Sequence, residues 1–307
     1  MRVLVTGANG YLGRPVIDAL EAAGHDPIAM VRTATSSIHA PTRVADLLDE
    51  VKLREALDGV EAVCHLAGLT RARESTVDPL RYFRANTAGT IALLDAMAAT
   101  GVPRIVFAST GSIYGSPERQ PMTEDMPDAP PHPYAASKLA AEFAIHAQAQ
   151  AGNLSAVVLR LLNVAGGADP DPTRLIPRAL AAARQRSALE INGDGSTVRD
   201  YLHIVDAAAA FVACVENMPP LGKATRYNVG SGQGTSILVV VVAAVERVTG
   251  HRIHLVHRPP VPEPAALIGN PSKAIAELRW YPAHSHIDGI VRDTRHNLKT
   301  SNSIGAI

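Results

Sequence analysis

The sequence is poor in cysteine, in aromatic residues and in net charge. It has two cysteines, Cys64 and Cys214, and aromatic residues fill 4% of its 307 positions. Two cysteines far apart in apolar surroundings favour reduced core thiols over a disulfide or a zinc site, so we expect no metal. With 29 basic and 29 acidic side chains the formal net charge is +0, which argues against a protein that binds nucleic acid or an anionic membrane.

Long hydrophobic runs are also missing. The longest, residues 237–245, has nine residues and is too short to span a bilayer. The apolar stretch after Arg2 ends at Thr6 and Gly7, so the N-terminus is not typical of a signal peptide. Hydrophobic residues make up 47% of the chain, a globular composition that allows one large core or two unequal lobes. We therefore expect a cytoplasmic protein.

The first thirty residues alternate strand, glycine turn, helix and strand. Residues 2–6 predict a buried strand, residues 11–23 a helix and residues 27–31 a second strand. A unit of this form binds a dinucleotide, because the glycines let the backbone approach a pyrophosphate and the free N–H groups of the helix start face it. The residues predicted to hold the cofactor here are Gly7, Asn9, Gly10, Tyr11, Leu12 and Gly13.

The end of the second predicted strand leaves the choice of cofactor open. Arg32 lies where an acidic residue normally accepts hydrogen bonds from the adenosine ribose and selects NAD. A guanidinium group at that point can pair with a 2′-phosphate, which favours NADP. A solvated arginine beside a permissive pocket fits NAD equally well.

A tyrosine and a lysine four residues apart follow a strand that ends in hydroxyl groups. Tyr134 and Lys138 share one face of a helix predicted to reach about Gln150. A phenol with a pKa of about 10 is a poor base at neutral pH, but a nearby ammonium group lowers that pKa. With a strand-end hydroxyl from Ser109 or Thr110, this pair could take the proton of a substrate alcohol while hydride leaves its carbon.

The glycine spacing G-x-x-G-x-x-G and the Tyr-x-x-x-Lys pair resemble the extended short-chain dehydrogenase/reductase superfamily. Residues 107–115, FASTGSIYG, are similar to its motif F-S-S-S-x-x-V-Y-G, which implies that Thr110 is the catalytic hydroxyl and Ser109 the reserve. The resemblance implies an α/β fold with a Rossmann-type, doubly wound parallel sheet and a smaller C-terminal substrate-binding lobe. The implied domains are 1–162 for the dinucleotide, with returning segments at about 201–230, and 163–307 mainly for substrate.

Further cofactor contacts follow from the same resemblance. A third strand is predicted at residues 44–47, and the superfamily places a carboxylate there, Asp46, against the adenine amino group. Residues 67–75 and 86–90 resemble the pattern A-G-L-K-x-x-x-E-S and N-x-x-G-T of UDP-glucose 4-epimerases, with Thr70 in place of the lysine. The cofactor contacts implied in this way are Asp46, Leu47, Leu66, Ala67, Gly68, Thr70, Asn86, Tyr134 and Lys138.

The resemblance also implies a nucleotide-diphosphate sugar as substrate. The segment LRLLN ends at Asn163 and is similar to the family segment whose asparagine meets the diphosphate. The segment RDYLHIVD begins at Arg199, whose family counterpart holds the nucleotide phosphates, and Arg258 lies near a second expected arginine. Guanidinium groups suit a diphosphate. The implied substrate contacts are Thr110, Asn163, Arg199 and Arg258.

Residues 110–112, which we call the hydroxyl turn, limit the reactions that the site can catalyse. Related sugar 4,6-dehydratases carry Thr-Asp-Glu there, whereas this chain has Thr110, Gly111 and Ser112 and no carboxylate for water loss. The remaining hydroxyl, tyrosine and lysine suffice for a 4-epimerase, which oxidises C4 transiently and reduces it again. The same residues would serve an NADPH-dependent 4-keto-sugar reductase, and a non-catalytic cofactor-binding protein on this fold is a third, less favoured interpretation.

Two alanine-rich segments bear on assembly. Residues 91–99 and 135–150 match the pair of helices that forms the dimer interface in this family, and small side chains let helices pack closely. The resemblance therefore implies a homodimer, while packing within one chain is the alternative.

Overall fold

The computed structural model describes residues 1–34 and 38–304, except for the side chains of 239, 240 and 299–304. Its strands are β1 Arg2–Thr6, β2 Asp26–Val31, β3 Thr42–Val44, β4 Ala62–His65, β5 Arg104–Thr110, β6 Ser155–Leu161, β7 Asn163–Ala165, β8 Ala188–Asn192, β9 Val198–Arg199, β10 Tyr201–His203, β11 Ala224–Val229, β12 Thr235–Ser236, β13 His254–Arg258 and β14 Ala266–Leu267. Its helices are α1 Gly13–Ala22, α2 Glu50–Ala56, α3 Ala72–Val77, α4 Pro79–Tyr82, α5 Gly89–Thr100, α6 Pro133–Gln150, α7 Leu175–Gln185, α8 Ile204–Glu216, α9 Ala243–Thr249, α10 Ser272–Leu278 and α11 Ile287–Ile304. A π-helical turn, Phe83–Ala88, joins α4 to α5.

The central sheet has seven parallel strands in the order β11-β6-β5-β4-β1-β2-β3. Its inner strands are buried on both faces, which is typical of a parallel sheet covered by helices on each side. The strand order reverses between β1 and β4, and ligands bind at such a switch point beyond the carboxyl ends of the strands. The Rossmann-type fold expected from the sequence is confirmed.

The third strand differs from the prediction. It covers Thr42–Val44 and ends before Asp46, whose Oδ1 accepts a hydrogen bond from the backbone N–H of Leu48 at 2.9 Å. An aspartate that bonds the backbone two residues further on forms a turn, and this local bond competes with strand pairing. Asp46 therefore lies in the turn after the strand.

The second lobe has its own apolar core, built by α7, α9, α11 and the parallel pair β8 and β13. After Asn163 the chain enters this lobe, but it returns to the main sheet later: α8 packs against α1, and β11 pairs with β6. The short pair β7 and β10 connects the two regions. The cleft between sheet and lobe is the place where a ligand can touch both.

Within the described part of the chain, no helix has the length and apolarity needed to cross a membrane. The same residues contain no group of three or more histidine, cysteine, aspartate or glutamate side chains arranged to hold a metal ion.

Candidate active site

A cavity of about 1200 Å³ opens at the carboxyl ends of the sheet strands. Pockets for a single small molecule usually measure about 300–1,000 Å³, so this one has room for a cofactor together with a substrate. Most of the site residues named from the sequence line it. They are Gly7, Asn9, Gly10, Tyr11, Leu12, Gly13, Arg32, Asp46, Leu47, Leu66, Ala67, Gly68, Thr70, Thr110, Tyr134, Lys138 and Asn163.

The glycine turn is packed so tightly that it has no space for side chains. Gly7 has a φ of +69°, and a Cβ there would lie 2.7 Å from the backbone nitrogen of Ala67. A Cβ on Gly13 would lie 2.3 Å from the carbonyl oxygen of Gly7. The N-cap residue of α1, Leu12, has no polar side chain to cap the helix. The first N–H groups of α1 therefore remain suited to phosphate oxygens.

Asn86 does not line the cavity but supports its wall. Its side chain is buried, accepts a hydrogen bond from the backbone N–H of Leu69 at 2.7 Å and donates to the carbonyl of Leu69 at 3.0 Å. It also donates to Ser137 Oγ at 2.9 Å, and Ser137 Oγ donates in turn to the carbonyl oxygen of Tyr134. Asn86 thus joins the turn after β4 to the helix that carries Tyr134.

Tyr134 is half-buried at the start of α6 and faces the cavity. The N-cap residue His132 accepts a hydrogen bond from the backbone N–H of Ala135 at 3.1 Å, and its ring stacks on Tyr134 with centroids 5.7 Å apart. The ring of Tyr82 meets Tyr134 edge-on at 6.4 Å. These two rings restrict the phenol to one orientation.

The structure distinguishes the two candidate hydroxyl groups at the end of β5. Thr110 lines the same cavity as Tyr134, and its hydroxyl group lowers the pKa of that phenol. Ser109 Oγ instead donates to the buried carboxylate of Glu142. Successive residues of a strand point to opposite faces, so only one of the two hydroxyl groups can reach the phenol.

Burial dominates the ionisation of Tyr134 and Lys138. Burial raises the pKa of Tyr134, and the hydroxyl group of Thr110 and the charge of Arg174 only partly oppose this rise. Lys138 is absent from the described groups that lower the pKa of Tyr134, which differs from the expectation drawn from its spacing. Its ammonium group donates to the carbonyl oxygen of Ala108 at 2.8 Å, and burial lowers its own pKa to about 8.

Both arginines that were named as substrate contacts lie outside the lining of the main cavity. Arg199 pairs with Glu263 at 2.6 Å and donates to the carbonyl of Pro264. Arg258 is exposed, pairs with Glu190, and lines a separate pocket of about 450 Å³. Asn163, by contrast, is exposed into the main cavity. The diphosphate contacts assigned to the two arginines stay predictions.

A cation that the sequence reasoning missed lies on the substrate side of the cavity. The guanidinium group of Arg174, at the start of α7, stacks over the ring of Tyr11 at 5.0 Å and pairs with Asp169 at 3.3 Å. Tyr11 in turn donates a hydrogen bond to the carbonyl of Gly166 at 2.5 Å. The sequence could have indicated Arg174 through the position of residues 166–174, which follow the end of a strand. Ligands bind beyond such strand ends in folds of this type.

These elements combine a phosphate-binding turn with an acid–base centre in one cleft. Tyr134 and Lys138 line the same cavity as Gly7 and Gly10. A dinucleotide held by the glycine turn can therefore share the cleft with an alcohol at Tyr134. This arrangement suits hydride transfer coupled to proton transfer at an alcohol carbon.

Comparison with known proteins gives a consistent result. The model of the NAD dependent epimerase/dehydratase family matches residues 3–230. UDP-glucose 4-epimerase of Azospirillum brasilense is 36% identical, with 95% of this chain and 90% of that protein aligned. The solved UDP-glucose 4-epimerase of Stenotrophomonas maltophila, with bound NAD and formylated UDP-arabinopyranose, has a TM-score of 0.92 and 28% identity and covers 99% of both chains. That of Bifidobacterium longum, in complex with NAD+ and UDP, has a TM-score of 0.89 and 29% identity and covers 99% of this chain and 100% of its own.

Proposed function

Because this chain belongs to the NAD dependent epimerase/dehydratase family, we propose that it interconverts two UDP-hexoses that differ in configuration at C4. It is an NAD-dependent nucleotide-sugar 4-epimerase of the extended short-chain dehydrogenase/reductase type. The observation that carries the proposal is that Tyr134, Lys138 and Thr110 line the same cavity as the glycine turn. UDP is the nucleotide of the solved relatives.

NAD fits the cleft through its glycine turn. Gly7, Gly10 and Gly13 would let backbone N–H groups approach its pyrophosphate, and Asp46, which lines the same cavity, would accept from its adenine amino group. The solved relatives carry NAD, and we assign NAD to this chain. Arg32 lines the same cavity, and its position beside the ribose is compatible with NAD because an exposed guanidinium group can remain solvated.

The reaction requires the chain to move one proton and to hold one alcohol. NAD, when bound, would accept the hydride that leaves C4 of the sugar and would return it to C4 of the keto intermediate. Tyr134 Oη takes the proton of the C4 hydroxyl and later returns it, and Thr110 Oγ1 holds the same sugar oxygen in line. Lys138 lines the same cavity and remains mostly charged at pH 7, because its pKa is about 8.

The walls around the hydroxyl turn support epimerisation over water loss. Thr110, Gly111 and Ser112 line the cavity at this turn, and none of them has a carboxylate that could act as the acid or base of an elimination. A 4-epimerase needs no such group, because it only oxidises C4 and reduces it again.

The proposal is tested by incubating the purified protein with UDP-galactose and no added nucleotide. We expect UDP-glucose to form, with the ratio of the two sugars the same from either direction, because the cofactor is regenerated in each turnover. Consumption of added NADPH with a UDP-4-keto-sugar, and no interconversion without it, would instead identify a reductase. Cofactor binding without turnover of either sugar would identify a non-catalytic protein.

We also propose that the protein is a homodimer that pairs through α5 and α6. These helices pack side by side, and the side chains of Leu80, Phe83, Ile91 and Phe143 along this region are exposed. Exposed apolar side chains that cluster on one region mark an interaction surface. A second copy of this chain, contributing the same two helices, would cover them in a symmetric contact.

A charge in this surface should separate the subunits. Phe143 is 61% exposed, so Phe143→Glu leaves the fold intact and is expected to shift the protein to monomer in sedimentation equilibrium at micromolar concentration. The matched control is Leu221→Glu, at a similarly exposed apolar residue outside the two helices, which should remain a dimer. A wild-type monomer, or two variants that behave alike, would contradict this assignment.

A further inference from the structure

The end of β5 faces three successive turns of α6. The carbonyl of Ala108 accepts a hydrogen bond from Lys138 Nζ, and Ser109 Oγ donates one to Glu142. Thr110 lines the cavity with Tyr134, and its hydroxyl group lowers the pKa of that phenol. Residues four apart on a helix share one face. Glu142 is therefore the third member of a row that begins with the two proposed catalytic residues.

Glu142 is fully buried within a group of four charged side chains. It accepts hydrogen bonds from Arg160 Nε at 3.1 Å and Nη2 at 2.7 Å, and Arg226 Nε lies 3.4 Å from its Oε2. Asp128 lies on the other side, 2.6 Å from Arg160 Nη1 and 3.9 Å from Arg226 Nη2. Two carboxylates thus balance two guanidinium groups behind the active site.

A buried group of this kind needs a reason beyond stability. Removing charges from water costs free energy that their attraction often only offsets, so an apolar core of the same volume would serve a purely structural purpose. The two carboxylates differ in one respect. Glu142 contacts the strand end through Ser109 and acts on the charge of Lys138, whereas Asp128 pairs with the two arginines and its charge acts on His146.

We propose that Glu142 is a positioning residue of the epimerase reaction: its carboxylate fixes the end of β5 against α6, and so sets Thr110 against Tyr134, and it places a negative charge one helical turn from Lys138. The inference rests on the proposed function. Ser109 is then the link between the carboxylate and the strand, and the arginines hold the carboxylate in place.

The charges around Lys138 fix the direction of the expected pH effect. Burial lowers its pKa to about 8, and the negative charge of Glu142 opposes this. The other titratable groups nearby are Tyr134 and His146 on the same helix and His65 of β4. Burial lowers the pKa of His65 to about 3 and also lowers the pKa of His146. Arg160 of β6 and Arg226 of β11 lie against Glu142 together with Asp128. Without the charge of Glu142, Lys138 loses its proton at a lower pH.

The test compares Glu142→Gln with Asp128→Asn in the NAD-loaded enzyme. Each variant removes one negative charge from the same group of four, and each keeps the shape of the side chain. For Glu142→Gln we expect kcat to fall about tenfold with KM little changed, and the alkaline limb of the pH profile to move down by about 0.5–1 pH unit. For Asp128→Asn we expect the limb to stay in place, even if Tm falls.

The outcomes separate this inference from the proposed function. If the two variants have equal pH profiles after turnover is normalised to bound NAD, Glu142 has only a structural role and the inference is overturned. The proposed function is unaffected by that result, because it depends on the turnover of the wild-type protein. If Glu142→Gln does not fold, Ser109→Ala provides the test, because it removes the link but no charge. It should lower kcat, leave KM and the pH profile unchanged, and regain activity in Ser109→Thr; an unchanged kcat in Ser109→Ala would also overturn the inference.

Discussion

Tyr134→Phe is expected to lose at least about 100-fold in kcat, because general acid–base catalysis contributes about 10²–10⁴-fold. The variant keeps the ring that stacks on His132 and meets Tyr82, but it has no oxygen to take the C4 proton. Since the ring contacts remain, Tm, bound NAD and the affinity for UDP should stay close to those of the wild type. Initial rates of UDP-galactose conversion, divided by the NAD content, measure the effect.

Tyr82→Phe is the matched control for this experiment. Tyr82 lies against Tyr134, and its own hydroxyl donates to the carbonyl of Arg71, away from the proposed proton transfer. The control removes one phenolic oxygen from the same aromatic group and should keep most of the wild-type kcat. Full activity in Tyr134→Phe would exclude Tyr134 as the base, and an equal loss in both variants would point to ring packing.

Gly13→Ala should abolish retention of NAD and lower the stability of the protein. The added Cβ would lie 2.3 Å from the carbonyl oxygen of Gly7 and 2.7 Å from that of Ala8, so the glycine turn must open. Forced packing of this kind costs about 1–3 kcal/mol in the free energy of unfolding. Displaced N–H groups can no longer face the pyrophosphate, and we expect the purified variant to contain no NAD and to be inactive without a large excess of it.

The same substitution at Gly289 controls for the change from glycine to alanine. Gly289 lies in α11, where a Cβ would have its nearest neighbour at 3.7 Å, and alanine is the better helix former by about 0.5–1 kcal/mol. Gly289→Ala should keep its NAD and its Tm. The NAD content and the thermal unfolding of both variants test this prediction. A Gly13→Ala protein that retains NAD would contradict the role of the turn in cofactor binding.

The elements that the sequence predicted well are those set by local spacing. The turn from Gly7 to Gly13 needs glycine at fixed intervals because backbone atoms approach one another closely there. This requirement can be recognised from a short, continuous stretch of sequence. Tyr134 and Lys138 share a helical face for the same local reason. The third strand was placed too late because Asp46 forms a turn with Leu48, a local bond that the alternation of strand and helix does not reveal.

The contacts that the sequence did not predict join segments that are far apart in the chain. Arg174 reaches Tyr11 across more than 160 residues, and Ser109 reaches Glu142 from a neighbouring element. Neither pair has a spacing signal, because tertiary packing alone brings its members together. The pKa of Tyr134 was misjudged for a related reason: the spacing to Lys138 was visible, but the burial that raises the pKa was not.

The most direct measurement follows the C4 hydrogen of the sugar through the proposed reaction. UDP-galactose carrying deuterium at C4 is incubated in ordinary water with the purified protein and no added nucleotide, and the product is read by NMR and mass spectrometry. If Tyr134 moves only the hydroxyl proton, UDP-glucose forms with its C4 deuterium retained and no net reduced cofactor accumulates. Loss of the deuterium to solvent, or no conversion at all, would contradict the account.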